Sequence, residues 1–116
     1  MTGAWGEDAA CAYLERRGYR TAARNFRTRF GEVDIIAAHG QYIVFVEVKT
    51  RRDDRFAAAR EHVTAAKQRR ILAAAAEWLQ KNPSPLQPRF DVIEVYGEQG
   101  APVPPRINHL ENAFGG

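Results

Sequence analysis

Residues 31–49 read GEVDIIAAHGQYIVFVEVK, and this stretch decides the fold. Tyr42 to Val46 is an unbroken aromatic and β-branched run, which suits a strand covered on both faces. Gly31 to Ala38 reads as a preceding strand, and His39 with Gly40 marks a tight reversal, so the two are predicted to pair as an antiparallel hairpin. Side chains alternate along a strand, which puts Glu47 and Lys49 on one surface and Val46 and Val48 on the other. The hairpin brings Asp34 near Glu47. Two acids and an amine thus meet where an apolar strand ends, a costly place for charge.

Upstream, Trp5, Ala9, Ala10, Tyr13 and Leu14 recur at helical spacing, with Thr2 as cap and Gly18 as stop. Tyr19 to Phe26 follows as a short strand bearing arginines. Downstream, RRDDRFAAAREH (51–62) is polar and aperiodic, and reads as a loop or flap over the strand ends. Thr64 caps an alanine-rich helix from Ala65 to Gln80 whose apolar face is Ile71, Leu72, Ala75, Trp78 and Leu79; Pro83, Pro85 and Pro88 stop it. Arg89 to Tyr96, RFDVIEVY, is a further strand, expected to lie parallel to the Tyr42 strand through a right-handed helical crossover. Residues 100–116 form a proline-rich C-terminal extension, with Arg106 to Phe114 a short edge strand before a frayed end. The expectation is one domain, 1–116, of α/β class: an αβββαβ core with a mixed central sheet flanked by helices on both faces.

Composition narrows the function. With 116 residues, 45% of them hydrophobic, the chain can bury a core and is not a disordered tail. No apolar run is long enough to cross a bilayer, and the first residues, MTGAWGEDAACAYLERRGY, are acidic and amphipathic rather than signal-like. A cytoplasmic protein without a membrane partner is expected. The lone Cys11 excludes an internal disulfide and a thiolate metal site, and reads as a small buried residue. The one serine, Ser84, lies in NPSP, which argues against a serine hydrolase, and no glycine-rich phosphate loop occurs. His39, His62 and His109 lack metal-ligand spacing and read as surface residues, while Asp91 interrupts an apolar strand and calls for a structural partner such as an arginine. Fourteen of the seventeen lysines and arginines fall in residues 1–70, so the positive charge is concentrated in the half that holds the acids and amine.

Hard dications such as Mg²⁺ prefer oxygen ligands and keep several waters, so Asp34, Glu47 and the Val48 carbonyl suffice for Mg²⁺ or Mn²⁺. Such an ion would polarise a phosphodiester and make water a usable nucleophile, with Lys49 orienting that water or offsetting negative charge. A Glu and a Lys two apart on a strand are often solvated neighbours; Asp34 on the adjoining strand is what shifts the reading to a site. Glu7, by spacing alone, is ordinary helix-start electrostatics. Lys67, Gln68, Arg69 and Arg70 open the second helix as a face that is solvated or grips phosphate, and Arg51, Arg52 and Arg55 can track a nucleic-acid backbone, weakened by Asp53 and Asp54.

The Asp34, Glu47, Val48, Lys49 pattern resembles the PD-(D/E)XK nuclease superfamily. More closely, Gly6-Glu7, ARNFR (23–27), GEVDIIA (31–37), VFVEVKTR (44–51), VTAAKQRR (63–70) and RFDVIEV (89–95) resemble the YraN-like bacterial family, over nearly the whole chain. The resemblance implies a restriction-endonuclease-like fold similar to archaeal Holliday-junction resolvases, with Glu7 joining Asp34 and Glu47 at the metal, Lys49 as catalytic amine and phosphate or water contact from Lys67 or Gln68. Val33 stands where the superfamily's name has proline. The activity implied is Mg²⁺- or Mn²⁺-dependent cleavage of DNA, branched or junction DNA included, with RNA left open and a homodimer expected by analogy with resolvases. The rival is a non-cutting nucleic-acid-binding or protein-interaction module on the same fold.

Overall fold

The structure, a computed structural model, describes residues 4–52 and 63–115. The Thr2 cap, residues 53–62 of the expected flap, Arg55 and His62 lie outside them. In chain order the elements are α1 (Ala4–Arg16), β1 (Arg20–Arg27), β2 (Glu32–His39), β3 (Tyr42–Arg51), α2 (Ala65–Lys81), β4 (Gln87–Tyr96) and β5 (Arg106–Phe114). The strands form one sheet in the order β1-β2-β3-β4-β5. Only β3 and β4 run parallel, and α2 is the crossover between them. This is the restriction-endonuclease-like α/β arrangement, extended by a fifth strand.

Strand alternation sorts the core into two layers. Ile35, Ala37, Val44, Val46, Ile93 and Val95 face α1, where Ala10, Cys11 and Leu14 cover them. Ile36, Ile43, Phe45, Phe90 and Val92 face α2, covered by Ile71, Ala74 and Ala75. The β3 run is therefore buried on both sides, as its continuous apolar pattern requires. Removing a side chain as large as the fully buried Phe45 from such a core costs about 3–5 kcal/mol.

Helix ends follow the sequence. Gly18 takes φ of 89° while its N–H bonds the Glu15 carbonyl and that of Tyr19 bonds Leu14, the paired closure that favours glycine after a helix. Thr64 Oγ1 accepts the Lys67 N–H at 3.1 Å and so starts α2. The β2–β3 reversal sits one residue later than expected. His39 pairs with Tyr42 in the ladder, and Gly40, φ 58°, opens the two-residue turn.

The C-terminal edge strand spans Arg106–Phe114 as expected, and Phe114 packs against Phe90. Three other expectations are corrected. Pro88 does not serve as part of the helix stop: α2 ends at Lys81, and Pro88 sits in β4 beside Ile43. The side chain of His109 is 5% exposed, its Nε2 2.7 Å from Asp91 Oδ2 and its Nδ1 3.0 Å from the Tyr13 hydroxyl. His39 stacks on Tyr19 with ring centroids 4.0 Å apart, which gives that histidine a packing role. The expected partner for Asp91 is present, because Arg89 donates to both of its oxygens at 2.9 and 2.8 Å. Burial works against the Asp91 carboxylate, yet the bonds from His109, Arg89 and the Asn112 N–H hold its pKa below the ordinary value.

Candidate active site

The sheet opens where the motif lies. The β2–β3 ladder runs from His39↔Tyr42 to Ile35↔Val46 and stops one step before Asp34 and Glu47 would face each other. The outer ladders continue past this point, β1–β2 to Arg27↔Glu32 and β3–β4 to Arg51↔Tyr96. Asp34 enters the gap and its Oδ2 accepts the Val48 N–H at 2.8 Å, replacing a ladder bond with a carboxylate. The N–H and C=O of one strand residue project to the same edge, so the Val48 carbonyl faces this gap as well.

Glu47 continues the Ile43, Phe45 row toward α2 and is only 4% exposed. Lys67, in the first turn of α2, reaches Glu47 Oε2 at 2.6 Å, and Lys49 Nζ lies 3.6 Å from the same oxygen. The capped start of α2 thus aims one lysine at the acid while the two-residue strand period supplies the other. A carboxylate this buried requires such partners.

The charges are tuned in opposite directions. Burial first, then the Glu47 carboxylate, pushes the Asp34 pKa up to about 7, with Glu7 and Glu32 adding to the effect and the Val48 N–H opposing it. Burial and the neighbouring Lys67 lower the Lys49 pKa against the pull of Glu47. Burial also works against the Lys67 ammonium, but Glu47 outweighs it and raises that pKa. One lysine is thus moved toward easier loss of its proton and the other toward holding it, a division suited to proton transfer beside a fixed charge.

Glu7 sits in the first turn of α1, 3.9 Å from Arg24 Nη2, and Arg24 bonds Asp8 at 2.7 Å. Among the described residues, no three His, Cys, Asp or Glu side chains gather as a metal-holding cluster. The gap instead presents Asp34 and Glu47 carboxylates and, by strand geometry, the Val48 carbonyl. This all-oxygen set fits a hard dication that keeps several waters, and the carboxylate repulsion that adds to burial in raising Asp34 is what a dication would relieve.

The expected phosphate-contact residues separate into two groups. Arg51 Nε lies 3.7 Å from the fully buried Glu94, and exposed Arg52 lies 3.3 Å from Glu98. Gln68 Nε2 turns back to the Val63 carbonyl at 3.2 Å. Lys67 and Arg70 line a groove with Arg27, the last residue of β1, and with Arg29 and Phe30 of the turn that follows, which nothing in the sequence marked as phosphate contacts. Asn25, between the Arg24↔Ile35 and Phe26↔Val33 pairs of the β1–β2 register, takes φ of 52°. Asparagine tolerates that conformation better than most residues, so N in ARNFR was the available signal.

The profile of an uncharacterised protein family, UPF0102, matches residues 6–95, from the glycine before Glu7 to the end of the β4 core. The chain is 52% identical to a UPF0102 protein of Syntrophotalea carbinolica over 115 residues, covering 97% of this chain and 89% of that protein. It is 50% identical to one of Geobacter sulfurreducens over 115 residues, 98% and 88% of the two chains, and 46% identical to one of Rhodococcus opacus over 113 residues, 97% and 94%. The protein belongs to UPF0102, the YraN-like family within the PD-(D/E)XK superfamily.

Proposed function

We propose that this protein is a metal-dependent endonuclease that hydrolyses phosphodiester bonds in DNA, branched or junction DNA among its substrates. The observation that carries this reading is the opening of the sheet at Asp34, where Glu47 is held between Lys67 and Lys49. Mg²⁺ or Mn²⁺ would be held by Asp34, Glu47 and the Val48 carbonyl, with Glu7 adding negative field, and would supply Lewis acidity and a more acidic water. The chain's own groups do the rest. Lys49, depressed in pKa, takes a proton as the water oxygen bonds phosphorus; the phosphorus–oxygen ester bond breaks, and the leaving oxygen takes a proton from solvent. Lys67 keeps its charge and balances the phosphate as it approaches Glu47.

Calorimetric titration of Mn²⁺, run beside a cleavage assay on four-way, flapped and single-stranded DNA, tests this. Wild type is expected to bind Mn²⁺ and cut, and Asp34→Ala to lose both. Absence of metal binding and cutting in wild type defeats the proposal. A second reading, a DNA-binding module without hydrolysis, draws on the lack of a three-acid cluster among the described residues and on the two lysines that already satisfy Glu47. Salt-dependent DNA binding without cutting in either metal decides for it.

A further inference from the structure

Beside the site, the β1–β2 turn and the start of α2 enclose a groove of about 520 Å³. Arg27, Arg29, Lys67 and Arg70 line it against, among the described residues, a single carboxylate, Glu32, which is itself 3.3 Å from Arg27. At its lip stands Phe30, 56% exposed, a large apolar ring set among cations. Scattered exposed aromatics are common, and this one alone would mean little. Its presentation is what distinguishes it.

The turn that carries Phe30 is tied down. Thr28 Oγ1 accepts the Phe30 and Gly31 N–H groups at 3.0 and 3.2 Å, and the Thr28 N–H bonds the Gly31 carbonyl at 2.8 Å. Gly31 presses so closely on the Arg70 backbone that a Cβ there would fall 2.5 Å from the carbonyl oxygen. The turn and α2 are therefore fixed as two walls of one groove. Phe30 faces outward with the Arg29 guanidinium 5.4 Å from its ring centroid. Lys67, on the opposite wall, is the residue that contacts Glu47. Lys67 is thus shared between the groove and the candidate active site.

We propose that this groove binds an unpaired DNA strand, stacking one base on Phe30 and holding adjoining phosphates with Arg27, Arg29 and Arg70. The strand's next phosphodiester then reaches Lys67 and Glu47. A rigid exposed ring among cations is the combination that single strands use, because every base offers a π face and every linkage a charge. A duplex keeps its bases stacked on each other and has none to lay on Phe30. The inference deepens the nuclease reading by naming its substrate feature, a single-stranded segment next to the cut, and it rests on that reading only for the cut itself.

Fluorescence anisotropy with labelled oligothymidylate in EDTA tests the groove without requiring cleavage. Phe30→Ala is expected to weaken binding about 5- to 100-fold, the range for loss of one base–aromatic stack, while Phe30→Trp retains it. Arg29→Ala is expected to lower the slope of log affinity against log salt by about 0.7, the loss of one single-strand phosphate contact. A blunt duplex of the same length is expected to bind Phe30→Ala and wild type alike. Equal affinity of Phe30→Ala and wild type for oligothymidylate overturns the proposal, as does an equal loss on the duplex. Tighter binding of oligouridylate than of oligothymidylate overturns the assignment to DNA. If wild type binds as described and never cuts, the groove stands and the nuclease reading alone fails.

Discussion

Lys67 Nζ lies 2.6 Å from Glu47 Oε2, so the first turn of α2 closes onto the acid at the end of β3. Lys67 is also one of the causes that lower the Lys49 pKa. Replacing Lys67 by alanine removes that cation, and the Lys49 pKa is expected to rise. A base works once it has lost its proton, so the pH at which kcat/KM climbs should move upward in Lys67→Ala. A pH–rate profile of the two proteins checks this. An unshifted or downward-shifted limb contradicts the assignment of Lys49 as base.

Among the described residues, the same substitution leaves buried Glu47 with its looser ion-pair partner, Lys49 at 3.6 Å. Lys67 is itself partly exposed, so the loss is smaller than for a fully buried pair. We expect about 1–3 kcal/mol from urea unfolding at neutral pH.

Asp34 carries a stability cost that depends on pH. Its carboxyl titrates near pH 7 in the folded protein against 3.8 ordinarily. Between those values the native state binds more protons than the unfolded one, so this group's contribution falls as pH rises from about 4 to about 7. Asp34→Asn keeps an acceptor for the Val48 N–H and removes the charge. It is expected to be more stable than wild type by about 1–3 kcal/mol at pH 8 and no more stable at pH 4. Chemical unfolding at both pH values measures it, and equal stability at pH 8 contradicts it.

Asp91, in β4, behaves differently. Asp91 is fully buried and bonded by Arg89, His109 and the Asn112 N–H. Asp91→Ala strands the Arg89 guanidinium and is expected to cost about 3–5 kcal/mol. Arg89 would still reach the Tyr19 hydroxyl, 2.7 Å away, which relieves a part of this. Thermal and urea unfolding give the value.

Much of this was legible in the sequence for reasons tied to particular residues. The run from Tyr42 to Val46 could only be a doubly covered strand, and Thr64 and Gly18 bracketed the helices by side-chain and φ chemistry. Asp34 and Glu47 could be placed near one another because a tight hairpin joins their strands, while the exact register depended on the turn falling at Gly40 and Gln41, one residue later than the sequence suggests. What stayed hidden depends on contacts between distant elements. Nothing local to Lys67 says that its ammonium meets Glu47, since that requires the packing of α2 on β3. His109 looked like a surface residue because its partners, Asp91 and Tyr13, lie 18 and 96 residues away. The groove at Phe30 likewise arises only when Gly31 meets Arg70.

The central claim is that Asp34, Glu47 and Lys49 work as one hydrolytic site. Single-turnover cleavage of a flapped DNA with Mn²⁺, measured for wild type and for the alanine variant of each residue, tests it most directly. Wild type is expected to cut and each variant to be slower by about 100-fold or more, with oligothymidylate binding in EDTA changed little. A wild type that leaves the DNA intact, or a Glu47→Ala variant that cuts as fast as wild type, contradicts it.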